Sequence, residues 1–282
     1  MFKKMPVFLL MLLASVSTLA GAEEWRKTFS VTEKPELRVN ANDADIHVYA
    51  SDRKDIEAVV TTHNDKIGPN AVRINDHQSG NRIDIDIHVP QFHILNFRSH
   101  TVKIELAIPK QADVDLHSGD GAITAEALNG NISLTSGDGN IRVDNANGSL
   151  TLESGDGRIE CRGVNGRLRA ETKDGAMRID GVFSDLDLHT GDGRIDAQVQ
   201  SGSKMGSTWS VRSGDGSITL ALPDGFSADL DAHTGDGHIS VDFPVTVQGG
   251  ALRQNEIRGK LNNGGPTLEM RSGDGNITVR RG

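Results

Sequence analysis

Residues 134–143, Leu-Thr-Ser-Gly-Asp-Gly-Asn-Ile-Arg-Val, contain the pattern that decides the fold of this chain. Their Ser-Gly-Asp-Gly corner, or a close variant of it, occurs eight times. The corner aspartates are Asp120, Asp138, Asp156, Asp174, Asp192, Asp215, Asp236 and Asp274. The first four intervals are 18 residues each, and the last three are 23, 21 and 38. A fixed period of this length is typical of a repeat architecture.

Apolar residues recur at fixed distances on both sides of each aspartate. Around Asp138 they are Ile132 and Leu134 before the corner and Ile141 and Val143 after it. All eight repeats have an apolar residue at these four places. Apolar residues two positions apart predict a strand with one buried face. Each repeat is therefore predicted to form a strand, the Gly-Asp-Gly corner and a second strand.

A second turn follows nine residues after the aspartate in five of the repeats. The dipeptides at this place are Asn129-Gly130, Asn147-Gly148, Asn165-Gly166, Ser201-Gly202 and Asp224-Gly225. Such pairs suit turns because glycine adopts positive φ freely and Asn or Asp tolerates it. Strands of four or five residues between these turns can stack on the same segment of the next repeat. We therefore predict an all-β fold, a parallel β-solenoid (β-helix) of 18-residue rungs with an N-terminal β-sheet cap.

Glycine and a hydroxyl side chain flank every corner. The glycines after the aspartates, predicted as structural turn residues, are Gly121, Gly139, Gly157, Gly175, Gly193, Gly216, Gly237 and Gly275. Ser or Thr always stands two residues before the aspartate, as Ser136 does before Asp138. No histidine and acid accompany any of these hydroxyls in a distinctive arrangement. The column is therefore predicted to be a hydroxyl ladder that stabilises the turns, and no catalytic residue is predicted.

The aspartate column brings like charges together. Carboxylates about 5 Å apart repel by about 1 kcal/mol per pair even in water. Hydrogen bonds from the turn amides to each carboxylate, as in an Asx-type turn, would relieve this repulsion. The alternative is calcium between successive corners, because calcium prefers clustered oxygen ligands. The calcium candidates are Asp120, Asp138, Asp156, Asp174 and Asp192, and no other cofactor is predicted.

Charges alternate in sign on the outward positions four residues after the aspartates. In five successive repeats these positions hold Thr124, Arg142, Glu160, Arg178 and Asp196. The alternation predicts cross-strand charge pairs that help to fix the register, although each exposed pair is worth little. Cys161, the only cysteine, stands in an inward column, so no internal disulfide exists. It is predicted to be a small buried residue; a reactive or dimer-forming thiol is the alternative.

The first 22 residues have the pattern of a secretory signal peptide. Lys3 and Lys4 precede an apolar stretch, and Ala20-Gly21-Ala22 resembles a cleavage site. No second long apolar segment follows, so no membrane span is predicted and the protein is expected in the periplasm or outside the cell. Loss of the two lysines would change the net charge from −9 to −11. This acidic balance argues against a nucleic-acid partner.

The remaining chain is predicted to have two parts. Residues 23–110 form an N-terminal β cap, in which Leu37, Val39, Asp43, Ile46 and Val48 fit a degenerate first rung. Residues 111–282 form the β-solenoid repeat domain. A cap is needed because an open solenoid end exposes core and unpaired backbone. The excursions 202–208 and 246–266 interrupt the late repeats and are predicted loops that could bear a binding surface.

The recurring Ser/Thr-Gly-Asp-Gly-x-Ile, as in residues 136–141, resembles the bacterial putative-adhesin family of β-strand-repeat proteins, a domain of unknown function. Ile108-Pro109 before the regular array and Gly264-Gly265-Pro266 before the final repeat fit the same family. The resemblance covers residues 30–282 and implies the fold. It supplies no catalytic residues. Lys173 departs from the pattern, because it replaces the first glycine of one corner.

Three functions are compatible with this sequence. The first is a non-enzymatic secreted or periplasmic protein, an adhesin or a cell-envelope scaffold, that binds a protein or glycan of the envelope. The second is an envelope scaffold that polymerises end to end and needs an uncapped C-terminal end. The third is a polysaccharide-active β-helix enzyme, which the short and uniform repeats disfavour. The sequence does not predict the oligomeric state.

Overall fold

The computed structural model describes residues 15–19, 22–90, 101–247 and 253–282, the first of these segments through its backbone alone. Every regular element in these ranges is a β-strand, which confirms the all-β prediction. Over the same ranges there is no helix long and apolar enough to cross a membrane.

The strands fall into three groups along the chain. The N-terminal strands are β1 (Ser15–Leu19), β2 (Ala22–Ser30), β3 (Glu36–Ala41), β4 (Asp45–Ser51), β5 (Asp55–His63), β6 (Arg73–Ser79), β7 (Arg82–His88) and β8 (Thr101–Pro109). The central strands are β9 (Asp113–Ser118), β10 (Ile123–Glu126), β11 (Asn129–Ser136), β12 (Ile141–Asp144), β13 (Asn147–Ser154), β14 (Ile159–Thr172), β15 (Met177–Thr190) and β16 (Ile195–Val199). The C-terminal strands are β17 (Trp209–Ser213), β18 (Ile218–Leu222), β19 (Ala228–Thr234), β20 (Ile239–Val241), β21 (Val245–Val247), β22 (Glu256–Leu261), β23 (Thr267–Ser272) and β24 (Ile277–Arg281).

The central strands form two parallel ladders, one on each side of the corners. Strands before the corners pair in the order β9, β11, β13, β14 and β15. Strands after the corners pair in the order β10, β12, β14, β15 and β16. Ile123 lies opposite Ile141 and Ile141 opposite Ile159, and all three are fully buried. Equivalent residues of successive repeats thus lie beside one another around a continuous apolar core.

Stacking order and chain order differ at the C-terminal end. β23 pairs in parallel with both β17 and β19, and β24 pairs with both β18 and β20. Leu268 of β23 lies between Trp209 and Leu230, and all three side chains are buried. The last repeat of the chain therefore lies between two repeats that precede it in the sequence.

The same arrangement occurs at the N-terminal end. β3 pairs in parallel with β7 and β9, and β4 pairs with β8 and β10. Leu37 lies opposite Val114 on one side and Ile83 on the other. Segment 36–51 is therefore an interior layer of the stack, with later parts of the chain on both of its sides.

Antiparallel strands lie at both ends of the stack. β22 pairs antiparallel with β19 and β21, so the predicted excursion 246–266 contains a strand that covers the edge of β19. At the other end β6 pairs antiparallel with β7, and β5 with β2 and β8. β1 pairs with β2, whose free edge accepts an antiparallel neighbour. Residues 1–14 and 20–21 lie outside the described residues, and the signal peptide stays a prediction.

Buried hydroxyl groups connect each corner to the next. Ser136 Oγ donates to the carbonyl of Gly121 at 2.9 Å and accepts from the amide of Gly139 at 3.0 Å. Equivalent pairs of hydrogen bonds occur at Ser118, Ser154, Thr172, Thr190, Ser213, Thr234 and Ser272. Each hydroxyl thus satisfies one turn amide and one carbonyl that would otherwise be buried without a partner.

Candidate functional site

The aspartates of the corners point away from the core. Asp120, Asp138, Asp156, Asp174 and Asp192 are all exposed. Among the described residues no hydrogen bond reaches their carboxylates, because the serine or threonine hydroxyl takes the turn amide. The expected Asx-type turn is therefore wrong at these corners. Over the same residues no three His, Cys, Asp or Glu side chains are grouped to hold a metal ion, and calcium binding stays a prediction.

Asp43 occupies the corresponding corner of the first repeat, and its carboxylate is repelled by that of Asp120, the next aspartate in the column. Its partial burial, and then the charges of Asp120 and Asp45, raise the pKa of Asp43 above its ordinary value. A carboxyl group whose pKa is higher in the folded chain than in the unfolded chain destabilises the fold when it is charged. The charged carboxylate of Asp43 therefore costs stability at neutral pH, and this cost decreases as the pH falls through the folded-state pKa of Asp43.

Asp43→Asn is expected to raise the melting temperature at pH 7, because the amide removes a partly desolvated charge that Asp120 and Asp45 repel. The expected gain is about 1–3 °C, since a surface charge pair contributes at most about 1 kcal/mol. Thermal unfolding followed by circular dichroism checks it. The gain should shrink below pH 4 and in about 0.5 M salt, where screening is strong. A gain that is equal at pH 7 and pH 3 would contradict the electrostatic cause.

A long polar groove follows the outward face of the strands after the corners. Its larger part has a volume of about 700 Å³ and its smaller part about 250 Å³, and the two share Arg158, Glu160 and Ala176. We call this surface the arginine groove. Its outward lining side chains are Ala122, Thr124, Asn140, Arg142, Asp156, Arg158, Glu160, Asp174, Ala176, Arg178, Arg194 and Asp196. The groove crosses β10, β12, β14, β15 and β16, so the register of the stack fixes the spacing of its side chains.

In one part of the groove the charged side chains form ion pairs with one another. Arg142 donates to Asp144 at 2.6 Å and to Glu160 at 3.4 Å, and Arg162 contacts Glu160 at 2.5 Å. The hydrogen bond to Asp144 is the main reason that the pKa of Arg142 is raised. The predicted charge pair between Arg142 and Glu160 is therefore formed. Two guanidinium groups compensate the carboxylate of Glu160.

The other part of the groove carries arginines without a carboxylate partner. Within the described ranges Arg158, Arg178 and Arg194 form no ion pair and donate no side-chain hydrogen bond, although all three are exposed. Arg178 lies opposite Glu160 and Asp196 in the register, yet the predicted pairs with them are not formed. Three guanidinium groups in one groove thus keep their donors available.

A second polar groove lies on the strands before the corners. It has a volume of about 450 Å³ and contains Arg167, Arg169 and Arg212 among hydroxyl and carboxylate side chains. Arg169 contacts Asp187 at 3.3 Å, and Arg212 contacts Glu269 at 2.9 Å. Most of its positive charge is therefore already compensated, in contrast to the arginine groove.

Cys161 lies in the core beneath the arginine groove. The thiol is fully buried, and this burial, followed by the charges of Asp144 and Glu160, raises its pKa far above the ordinary value. A buried thiol held in its protonated form is a poor nucleophile. Its position between Val143 and Ile179 in the ladder agrees with the prediction of a small buried residue.

The sequence pointed to the outward column that contains Arg142 and Arg178 but not to Arg158 and Arg194. These two stand two residues after their corner aspartates, in a column that the apolar pattern does not mark. A tabulation of every outward column across the repeats would have placed Arg158, Ala176 and Arg194 side by side. Their lack of ion-pair partners, however, depends on side-chain directions that the repeat does not define.

Comparison with known proteins agrees with this architecture. The sequence profile described as Toastrack DUF4097 matches residues 35–280. A solved structure of a putative lipid binding protein from Parabacteroides distasonis is similar at 14% identity, with 91% of this chain and 96% of that chain covered and a TM-score of 0.52. A putative adhesin from Bacteroides fragilis has 13% identity, 91% and 96% coverage and a TM-score of 0.38. A putative cell adhesion protein from Clostridium sporogenes has 13% identity, 93% and 100% coverage and a TM-score of 0.33.

No curated protein sequence matches the chain. At these identities the Parabacteroides distasonis structure supports the fold alone, whereas the profile match covers most of the sequence.

Proposed function

This chain belongs to the Toastrack DUF4097 family, and we propose that it is a non-enzymatic binding protein of the cell envelope, an adhesin or scaffold that holds its partner in the arginine groove. The groove is the observation that carries the proposal. It extends across several layers of the stack and presents three guanidinium groups that no carboxylate of the described chain engages. An open, elongated groove with free donors suits an extended partner with acceptor groups, such as a glycan or a protein segment.

The proposal includes a location and an architecture. Residues 1–22 act as a signal peptide, and the remaining chain is secreted to the periplasm or the cell surface. Residues 111–282 form a parallel β-solenoid of 18-residue rungs. Residues 23–110 form the N-terminal β cap, in which segment 36–51 supplies the degenerate first rung beside β9 and β10. The parallel register of equivalent residues supports the rungs, and the antiparallel strands β5 and β6 support the cap.

Pairing at the C-terminal end favours binding over end-to-end polymerisation. Polymerisation requires an uncovered edge on the last layer of the stack. β22 lies antiparallel along β19 from Ala228 to His233, so β19 offers no open edge. Among the described strands at this end, those with one ladder partner are β20 and β21, which are three residues long and offer little backbone to a second chain. A partner held in the groove needs no such edge.

Capture from envelope extract tests the proposed function. Immobilised chain lacking residues 1–22 should retain a partner, and Ala176→Gln, which fills the floor of the groove, should reduce retention at least fivefold. Ser240→Gln is the control: it adds the same side chain on the outward face of β20, in the C-terminal layers and away from the groove. This variant should retain the partner fully. Equal retention by Ala176→Gln would contradict the groove as the site. Turnover of an envelope substrate that one point mutation abolishes would contradict the non-enzymatic function.

A further inference from the structure

Two of the unpaired arginines, Arg158 and Arg194, lie on either side of one small residue, Ala176. Ile159 donates its amide to the carbonyl of Ala176, and Met177 donates to the carbonyl of Arg194. The residue before Ile159 is Arg158, so Arg158, Ala176 and Arg194 occupy the same position on three successive layers. All three line the smaller part of the arginine groove together with Arg178.

The spacing of the layers gives this trio the dimensions of an anion clamp. Neighbouring strands lie about 4.8 Å apart, so the backbones of Arg158 and Arg194 are separated by roughly 10 Å. Ala176 fills little of the space between them because its side chain is one methyl group. Two long side chains that start about 10 Å apart can both reach a group of a few ångströms placed above Ala176.

Arg178 adds a third fork from the neighbouring column. It stands two residues after Ala176 on β15, on the same outward face. Glu160, opposite Arg178, is already engaged by Arg142 and Arg162. Three planar guanidinium forks that start from three backbone positions match the several acceptor oxygens of a tetrahedral oxyanion better than the two oxygens of a carboxylate.

The carboxylates near the clamp set a limit on the ligand. Asp196 lines the same part of the groove, and the exposed Asp156 and Asp174 line the larger part. These charges repel an anion, but water and salt screen exposed charges within about 8–10 Å. The favoured ligand therefore has one compact, doubly charged group that binds the arginines. The rest of the ligand carries neutral hydroxyl groups, so little negative charge lies near the aspartates.

We propose that Arg158, Arg178 and Arg194 bind a phosphate monoester above Ala176. The inference deepens the proposed function, because it names the chemical group of the partner that the arginine groove holds. The phosphate belongs either to a phosphorylated sugar or to a lipid headgroup, and these two sources share the same chemistry at the site.

Titration calorimetry on the full mature chain tests the site. Glucose 6-phosphate should bind in a saturable manner and glucose should not. Arg158→Gln/Arg194→Gln should weaken binding at least tenfold. The control Arg73→Gln/Arg167→Gln removes the same charge from two exposed arginines that have no ion-pair partner in the described chain and lie outside the groove, and its binding should match the wild type. Circular dichroism should give the same melting curve for both double variants.

Co-sedimentation with vesicles separates the two sources of phosphate. The probes are phosphatidylcholine vesicles with and without about 20% phosphatidic acid, a lipid whose headgroup is a phosphate monoester and which makes the vesicle surface anionic. Binding to glucose 6-phosphate that depends on the groove arginines supports a sugar phosphate, and binding to phosphatidic acid with the same dependence supports a lipid phosphate. Binding to neither probe, or binding that both double variants reduce equally, would overturn the inference.

The two proposals fail in different ways. If the envelope partner is captured by the wild type but not by Ala176→Gln, and free phosphate does not compete, the proposed function stands and the phosphate inference falls. If nothing is captured from envelope extract while glucose 6-phosphate binds through the arginines, the phosphate site is supported and the proposed binding of an envelope partner is contradicted.

Discussion

Gly157→Ala is expected to destabilise the chain by about 3 kcal/mol or more, because overpacking against fixed atoms belongs to the most damaging classes of substitution. A methyl group at Gly157 would lie 2.0 Å from the carbonyl oxygen of Gly139 and 2.7 Å from Ser154 Oγ. The first contact is with backbone of the preceding layer, which is itself held between two neighbours. Neither layer can move away without breaking hydrogen bonds of the corner ladder.

Gly225→Ala is the matched control for this substitution. A methyl group at Gly225 would meet no atom within 4 Å, and its φ lies outside the left-handed region. Alanine there should change stability by less than about 1 kcal/mol and can even stabilise, because it restricts the unfolded chain. Urea unfolding of both variants, followed by circular dichroism, measures the difference. Equal midpoints for Gly157→Ala and Gly225→Ala would show that the corner tolerates a side chain.

The glycines show what the sequence could predict and what it could not. Their recurrence after every aspartate correctly marked a turn. The predicted second turn is present at Ser201-Gly202 and Asp224-Gly225, but Asn129-Gly130, Asn147-Gly148 and Asn165-Gly166 lie within β11, β13 and β14. In those repeats the left-handed residue stands two positions earlier, at Ala127, Asn145 and Gly163, with φ of 59°, 56° and 63°. The corner glycines such as Gly157 have no positive φ. They are required by the approach of the next layer, a distance that depends on how the repeats stack and that no single repeat contains.

The partners of each strand were harder to predict than the strands. Alternation of apolar residues located the strands because burial of one face leaves that mark on each segment. It does not say which repeat lies beside which, since all repeats offer the same inward column. The 38-residue interval before Asp274 was the available signal that the last repeat is unusual. The pairing of β23 with both β17 and β19 explains that interval, because the chain must pass around β19 before it returns.

The candidate site, too, could be predicted only in part. The alternating outward charges predicted the contact between Arg142 and Glu160, which forms at 3.4 Å. The same pattern predicted partners for Arg178 that it does not contact. Glu160 can compensate only so much positive charge, and Arg142 and Arg162 already contact it. Competition between neighbours is a property of the packed surface, which explains why the unpaired arginines became visible only in the structure.

A chain that ends at Pro266 is expected to lose order well beyond the residues removed. Deletion of 267–282 takes away β23 and β24, and with them the ladders to β17, β18, β19 and β20. Four fully buried side chains go with these strands: Leu268, Met270, Ile277 and Val279. At about 1.5–3 kcal/mol each, their loss is comparable with the whole stability of a typical domain, about 5–15 kcal/mol. Segment 228–261 then has no parallel neighbour to pair with.

Limited proteolysis with mass spectrometry measures the extent of that loss. In the chain that ends at Pro266, cleavage should appear throughout 228–261, while the central layers from β9 to β16 stay protected because their own neighbours remain. A chain that lacks only Gly282 loses the hydrogen bond from its amide to Leu222 and should be cleaved like the full chain. A stack that followed chain order would lose only its last layer, and segment 228–261 would remain as protected as before. Protection of 228–261 in the shortened chain would therefore refute the interior position of the last repeat.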